Sequence, residues 1–560
     1  MFIGSLLGVA AFSQPSPIQI PARSDQDPSD PKSGVIQGQV FAAEGEHPLA
    51  RATVTIYPAE SREGNRPQTV RTGDRGEYEF RELEAGEYFL HAARFGFLRQ
   101  TYGRKPSSTS ERRRRTTILS LASGQVLDGI DFKLIRGGVV EGTVVDQYNE
   151  PRPRVSVTLS KYGNFDGERK LVPEEEGETD DRGRFRLFDI PPGSYYLSTT
   201  VAPSSGRGKG KEGAFPPVYY PGVLSPGEAA KVEVGAGEEL GGFYLTLIEA
   251  RSYSASGQVL TAEGEPARRA WIVSNRESRE TLFARMEPNA TTNRQGEFKL
   301  TGLLPGIHRL NARSRNGEKG QTANQTVEVA DQDIEGLTLV LGPGAEITGR
   351  IVTDRQASDL DWSRIGLHMN PIGVDRWNFF SGGTSRVEED FTFRIANLPE
   401  ATYRFVVGLP PWGNQYVESI RIRTEELIDR PIELRNADRL DGVEIHVSSE
   451  GAQVSGVVKK EEAREVVPGA TVVVFAADPE YRGGFSRFTK TAHANQQGRF
   501  SIKGLPPARY LVCAVTDHDA GIEGSLDYLR RLERDSEQIE LSQGQALEKD
   551  LVASPAPKVY

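Results

Sequence analysis

Short runs of alternating apolar and polar residues, punctuated by glycine and proline, fill the chain from residue 34 to residue 553. In "VIQGQVF", Ile36, Gly38 and Val40 fall on one side of an extended strand, and Gln37 and Gln39 on the other. A period of two sends alternate side chains to opposite faces, so the pattern predicts antiparallel strands with one buried face. Similar runs surround Gly142 in "VVEGTVV", Gly257 in "SASGQVL", Gly349 in "EITGRIV" and Gly456 in "QVSGVVK". Ile36 and Val40, Val140 and Val144, and Ile347 and Ile351 are expected to point inward together with the central glycine. A glycine there leaves room for a bulky group from the facing sheet. Tyr88, Tyr195, Tyr403 and Tyr510 are the candidates for that group.

A second element recurs in step with the first. "TGDRGEYEF" from Thr72, "TDDRGRFRL" from Thr179, "TTNRQGEFKL" from Thr291 and "ANQQGRFSI" from Ala494 share a turn, and "VEEDFTFRI" from Val387 is a worn copy. Gly76, Gly183, Gly296 and Gly498, with Asp390 in the worn copy, are separated by 107, 113, 94 and 108 residues. After each turn comes a reversal and strand: "LEAGEYFL", "IPPGSYYL", "LLPGIHRL", "LPEATYRF" and "LPPARYLV". Each copy closes on a strand such as "LDGIDFKL", "LGGFYLTL", "IEGLTLVL" or "LDGVEIHV", with "LEKDLVA" last. One supersecondary unit of about 100 residues thus repeats five times.

The acidic turn invites a metal-loop reading, which the third copy opposes by placing Asn293 and Gln295 where acids would be required. Asp or Asn bonding backbone amides, with glycine supplying a positive φ, explains all the copies. "TDHDAG" at 516–521 reads as a polar loop in the same way.

The expected organisation is a signal peptide over 1–20, a disordered linker over 21–33, and sandwiches over 34–135, 137–248, 252–341, 344–448 and 451–553. The fourth is degenerate and Trp-rich, the fifth carries a short helical insertion, and 554–560 form a tail. Linkers are brief: "IRGG" after Leu134, "GPG" after Leu341 and "SSEG" after Val447. Neighbours are therefore expected to meet end to end in an extended array about 150–200 Å long. The fold class is all-β: five tandem seven-stranded Ig-like or prealbumin-like β-sandwich domains.

Composition narrows the function. A length of 560 residues exceeds one core, and 59 Gly with 34 Pro favour many short strands. The net charge of −10 opposes nucleic-acid binding. With Cys513 the only cysteine, no intramolecular disulfide or cysteine-based zinc site can form. The apolar run from Phe2 to Phe12 is too short to span a bilayer and resembles the core of a secretory signal lacking its basic start. Export to the periplasm, cell surface or medium is the expectation, with no membrane span in the mature chain.

The G-x-V opening, the T-D-x-x-G-x-[YF] turn and the P-P-G-x-Y strand resemble the carboxypeptidase regulatory-like domain family, in a multi-repeat bacterial form. The resemblance covers about residues 34–553 and implies transthyretin-like sandwiches, grouped with starch-binding and collagen-adhesin B-type domains. It does not imply peptidase activity, because none of the seven histidines lies in a His-x-x-Glu motif. The self-made isopeptide bonds of adhesin relatives are not expected either, for lack of the matching Lys and Asn.

There is no G-x-S-x-G elbow or Walker loop, and no carboxylate pair stands out. No enzyme activity, cofactor or metal site is expected. "ERRRR" at 111–115 and "SSGRGKGKEG" at 204–213 read as a solvated loop and a flexible insertion. Binding rests instead on aromatic residues, three of the four tryptophans (Trp362, Trp377, Trp412) lying in the fourth unit. Candidate ligand-binding residues are Trp377, Phe379, Phe380, Trp412, Tyr416, Tyr219 and Tyr220, whose rings can stack on a sugar or anchor a peptide. The leading expectation is a non-catalytic cell-envelope protein that binds carbohydrate or a partner protein. A structural spacer and an accessory module of a secreted peptidase system are the alternatives. "SPAPKVY" at the C-terminus carries neither a hydrophobic anchor nor a sorting motif, so a spacer would need a partner at each end.

Overall fold

The computed structural model describes residues 34–557 except 59–65, 104–118, 166–167, 202–213, 277–287, 315–320, 355–361, 363–364, 373–382, 410–412, 462–464, 485, 496, 517 and 519–521. Strands carry the architecture, and the single α-helix among the described residues is Leu526–Leu532. No helix among them is long and apolar enough to cross a membrane.

Five separate cores line up along the sequence. They span Ile36 to Leu134, Val140 to Leu247, Tyr253 to Leu341, Ala345 to Val447 and Ala452 to Leu551. The first four lie between two sheets that begin from the same plan, and in the fifth Leu551–Pro555 joins the two layers into one continuous sheet. In the second unit the opening strand Gly138–Asp146 is flanked by Arg184–Ile190, antiparallel, and by the closing strand Glu239–Leu247, parallel. Its facing sheet orders Glu168–Glu178, Ser156–Phe165, Gly193–Thr200 and Val218–Tyr219, with Val232–Val234 also on Gly193–Thr200. The inward positions predicted from alternation are in the cores: Ile36, Val40, Val140, Val144, Ile347 and Ile351.

Two expectations need correction. Opening and closing strands run parallel in all five units, not antiparallel. Alternation reports which face is buried and is silent on direction. The opening glycine, moreover, makes room for backbone and not for tyrosine. A Cβ on Gly142, Gly257, Gly349 or Gly456 would sit 2.2, 2.0, 2.0 or 2.0 Å from the carbonyl oxygen of Phe243, Leu337, Val443 or Lys549 on the parallel neighbour. The ladder is irregular there: a bulge, with Gly242, Gly336 and Gly442 at positive φ in units two to four, pushes that carbonyl toward the opening strand. The cross-strand aromatic leans over the same spot, Phe185 lying 2.8 Å and Phe393 2.7 Å from the built Cβ.

The tyrosines do different work. Each fills its core and donates its hydroxyl hydrogen to a carbonyl four residues back: Tyr88 to Glu84, Tyr195 to Pro191, Tyr403 to Pro399 and Tyr510 to Pro506, at 2.6–2.8 Å. The bond ties down the reversal that precedes the strand. Burial raises the pKa of Tyr195, Tyr403 and Tyr510 far above the ordinary tyrosine value, which keeps these hydroxyls as donors.

The units are not strung as a straight rod. The strand Ser156–Phe165 of the second unit comes within 8 Å, Cα to Cα, of Ile522–Gly524 in the fifth. Linker length alone suggested end-to-end extension, and it does not fix the angle at each joint.

Candidate binding groove and the aromatic positions

The acidic turns are occupied by backbone. Asp180 Oδ1 accepts the amides of Arg182 and Arg184, and Asn293 and Asn495 do the same for the residues two and four positions on. The Arg184 amide is the chief reason the Asp180 carboxyl titrates below the usual range. Gly76, Gly183, Gly296 and Gly498 hold φ between 69° and 75°. In the worn copy the matching left-handed position is Phe391, at φ 65°, and not Asp390 as the sequence spacing suggested. Among the described residues no group of three or more His, Cys, Asp or Glu is placed to hold a metal ion.

The threonine opening the turn is a feature that sequence reading passed over. Thr179 is buried, donates to the Arg152 carbonyl at 2.6 Å and accepts the Val155 amide at 2.9 Å. Thr72 and Thr292 make the equivalent pairs with Leu49 and Ala52, and with Ala267 and Ala270. Its repetition at the head of "TGDRG", "TDDRG" and "TNRQG" was the available signal.

The proposed ligand aromatics do not form one site. Trp377, Phe379, Phe380 and Trp412 lie outside the described residues, as do the runs at 111–115 and 204–213. Tyr416 and Tyr219 are buried, so neither offers a ring face to a ligand, which corrects the expectation for both. Tyr416 pairs with Ser448 on the closing strand beside the joint between units four and five. Tyr219 packs with Leu171 and Tyr196 on the outer side of the second unit's facing sheet. Tyr220 is half-buried, edge-on to Phe243 at 5.1 Å. Trp362 is buried in the fourth core and lies 6.2 Å from the Phe391 ring. Alternation and loop context did not separate these core rings from surface ones.

An open groove of about 1320 Å³ lies on the outer face of the third unit. Its floor is the sheet formed by Tyr253–Leu260, Glu297–Leu303 and Ile334–Val340, and Pro288 to Thr291 form one wall. Lys299, Thr301, Ser256, Glu335 and Thr338 face it. Gln258 Nε2 donates to the Gln295 carbonyl at 2.7 Å and Asn293 Nδ2 to Glu297 at 2.8 Å, so part of the polar lining is held in place. Amides, hydroxyls, a lysine and carboxylates converging on an open concavity can hydrogen-bond a polyol. No motif marks the groove, because its residues come from strands about 80 positions apart.

The fifth unit holds a second cluster outside its main core. The helix Leu526–Leu532 covers Val473, Phe475, Leu511, Cys513 and Val515. Burial pushes the Cys513 thiol up to about 11, so it is a packing residue with no reactive thiolate at neutral pH. His518 bridges the Tyr528 hydroxyl at 2.9 Å and Glu523 at 3.3 Å.

Sandwich units with satisfied turns define a modular, strand-built protein. Residues 35–134 match the family model described as carboxypeptidase regulatory-like domain, so the first unit carries that domain. No curated protein matches the chain. Among solved structures it is similar to the Bacillus anthracis TIE protein, at 12% identity, covering 73% of each chain, with a TM-score of 0.15. A streptococcal ancillary pilin is 11% identical over 55% of this chain and 99% of its own, with a TM-score of 0.20. GBS52, a minor pilin of Streptococcus agalactiae, is 15% identical over 39% and 97%, with a TM-score of 0.22. Overlaps of this size decide nothing about what the chain does.

Proposed function

We propose that the chain is an exported, non-catalytic protein of the cell envelope, built of five β-sandwich domains with the boundaries predicted above, and that its third unit binds carbohydrate. The open polar groove on that unit carries the reading. A shallow site of this kind binds weakly, and weak sites gain from repetition on a surface. Trp377 and Trp412 of the fourth unit remain proposed contributors.

A glycan array with the full chain tests this. Lys299→Ala with Thr301→Ala is expected to lower retention about tenfold, corresponding to one or two lost hydrogen bonds. Retention unchanged by that pair would remove the groove from the site, and retention unchanged by Trp377→Ala with Trp412→Ala would remove those rings. A spacer role is the second reading, favoured by a closely packed joint. Between units four and five the Gly451 amide donates to the Asn414 carbonyl at 2.9 Å, and a Cβ added to Gly451 would sit 2.3 Å from that oxygen.

A further inference from the structure

The five units treat one sheet edge differently. In the fourth, Tyr416–Ile422 lies antiparallel along the outer side of the closing strand Arg439–Ser448, pairing Ile420 with Ile445 and Arg421 with Glu444. In the fifth, Leu551–Pro555 pairs on that side with Ala508–Thr516. In the third, the corresponding strand Gln321–Val329 goes instead to the facing sheet, where it pairs with Gly306–Arg313. The closing strand Ile334–Val340 is left terminal, with no partner on its outer side among the described strands, as is Glu239–Leu247 in the second unit.

That edge is accessible and apolar at its end. Val340 is 52% exposed. Glu335, Gly336, Leu337 and Thr338 line the open groove, so solvent reaches this strand. The Leu341 amide donates inward to Leu260 at 2.8 Å, and strand alternation therefore turns the amides of Val340 and Thr338 outward. An unpaired row of donors and acceptors is a template for one more strand.

We propose that Ile334–Val340 receives an extended segment of a partner protein, antiparallel, with apolar side chains at every second position. The fourth unit shows the occupant's chemistry. By shared register with the opening strands, Leu337, Thr338 and Leu339 correspond to Val443, Glu444 and Ile445, which pair with Ile422, Arg421 and Ile420. A segment patterned like "YVESIRI" places its apolar residues over Leu337 and Leu339 and its polar ones outward. The inference does not rest on the carbohydrate reading.

The probe is a labelled peptide, NQYVESIRIRT, copying residues 414–424. Titrated into the full chain, it is expected to slow hydrogen exchange at the Thr338 and Val340 amides. Val340→Pro removes one outward donor and suits an edge strand; it is expected to weaken binding about tenfold. Unchanged exchange in Glu297–Leu303 shows that this variant is folded. Absence of slowing at 338 and 340 in the wild-type chain overturns the proposal whatever the variant does. So does equal binding of a scrambled peptide, unchanged affinity in a folded Val340→Pro, or protection of the edge by self-association without peptide.

Discussion

At the scale of single residues, the opening glycines show what the sequence can and cannot disclose. Their spacing was legible, and so was their inward direction. What they face was not, because the obstructing group is a carbonyl on a strand some 80 to 100 residues later, pushed inward by a bulge. Gly257→Ala would drive a methyl to 2.0 Å from the Leu337 oxygen, so backbone must shift. It is expected to destabilise the third unit by about 2–3 kcal/mol. Hydrogen exchange along the full chain checks this, with lost protection confined to residues 253–341.

His308 adds a pH effect in the same unit. It replaces the corner tyrosine: Nε2 donates to the Leu304 carbonyl at 2.7 Å, which leaves Nδ1 to accept from Ser274 Oγ at 2.8 Å. Both bonds suit the neutral ring. Burial, the largest cause, and Arg276 hold its pKa below the ordinary value, against a smaller opposing effect from the Leu304 carbonyl. The unfolded chain therefore takes up the proton first as pH falls. Stability is full above about 6.5 and is lost as pH drops from there through the folded-state pKa. His308→Tyr, which restores the donor used in other units, is expected to remove this acid loss in exchange measured from pH 7 to pH 5.

At the scale of elements, the turns were legible as turns because Asp or Asn, then glycine, satisfies amides and dihedrals locally. The threonine before them was not, since its partners lie 20 to 27 residues upstream. Thr179→Val keeps shape while leaving the buried Val155 amide and Arg152 carbonyl without the hydroxyl. A loss of about 1–3 kcal/mol in the second unit is expected, read as faster exchange at Val155. The fourth unit has Val387 there and Phe391 where others have glycine, so it lacks both devices and keeps the strand order. Packing of the Phe391 ring near Trp362 accompanies that left-handed residue. Strand direction, and the placing of Tyr416–Ile422 and Gln321–Val329 in different sheets of their units, were also beyond reading, since both depend on which edge a segment meets after it folds.

At the scale of the whole molecule, the joints set the course of the array. Between units four and five, Arg487 donates to Asp429 at 2.8 Å and to the Val417 carbonyl at 2.8 Å. Arg404 donates to Gly484, and the Asn414 carbonyl and side chain accept from Gly451 and Gly504. The approach of Ser156–Phe165 to Ile522–Gly524 is narrow by comparison, a hairpin meeting one short turn. Five bonds across a joint outweigh that contact, so the bend is expected to originate at the joints. Small-angle scattering should give a maximum dimension below the roughly 150–200 Å of a straight rod. Replacing residues 162–171 by Asn-Gly, which closes a two-residue hairpin, should leave that dimension unchanged. Arg487→Ala should broaden the distance distribution by freeing the joint. A chain that lengthens when the hairpin is shortened would instead make the contact between units two and five the clasp that bends it.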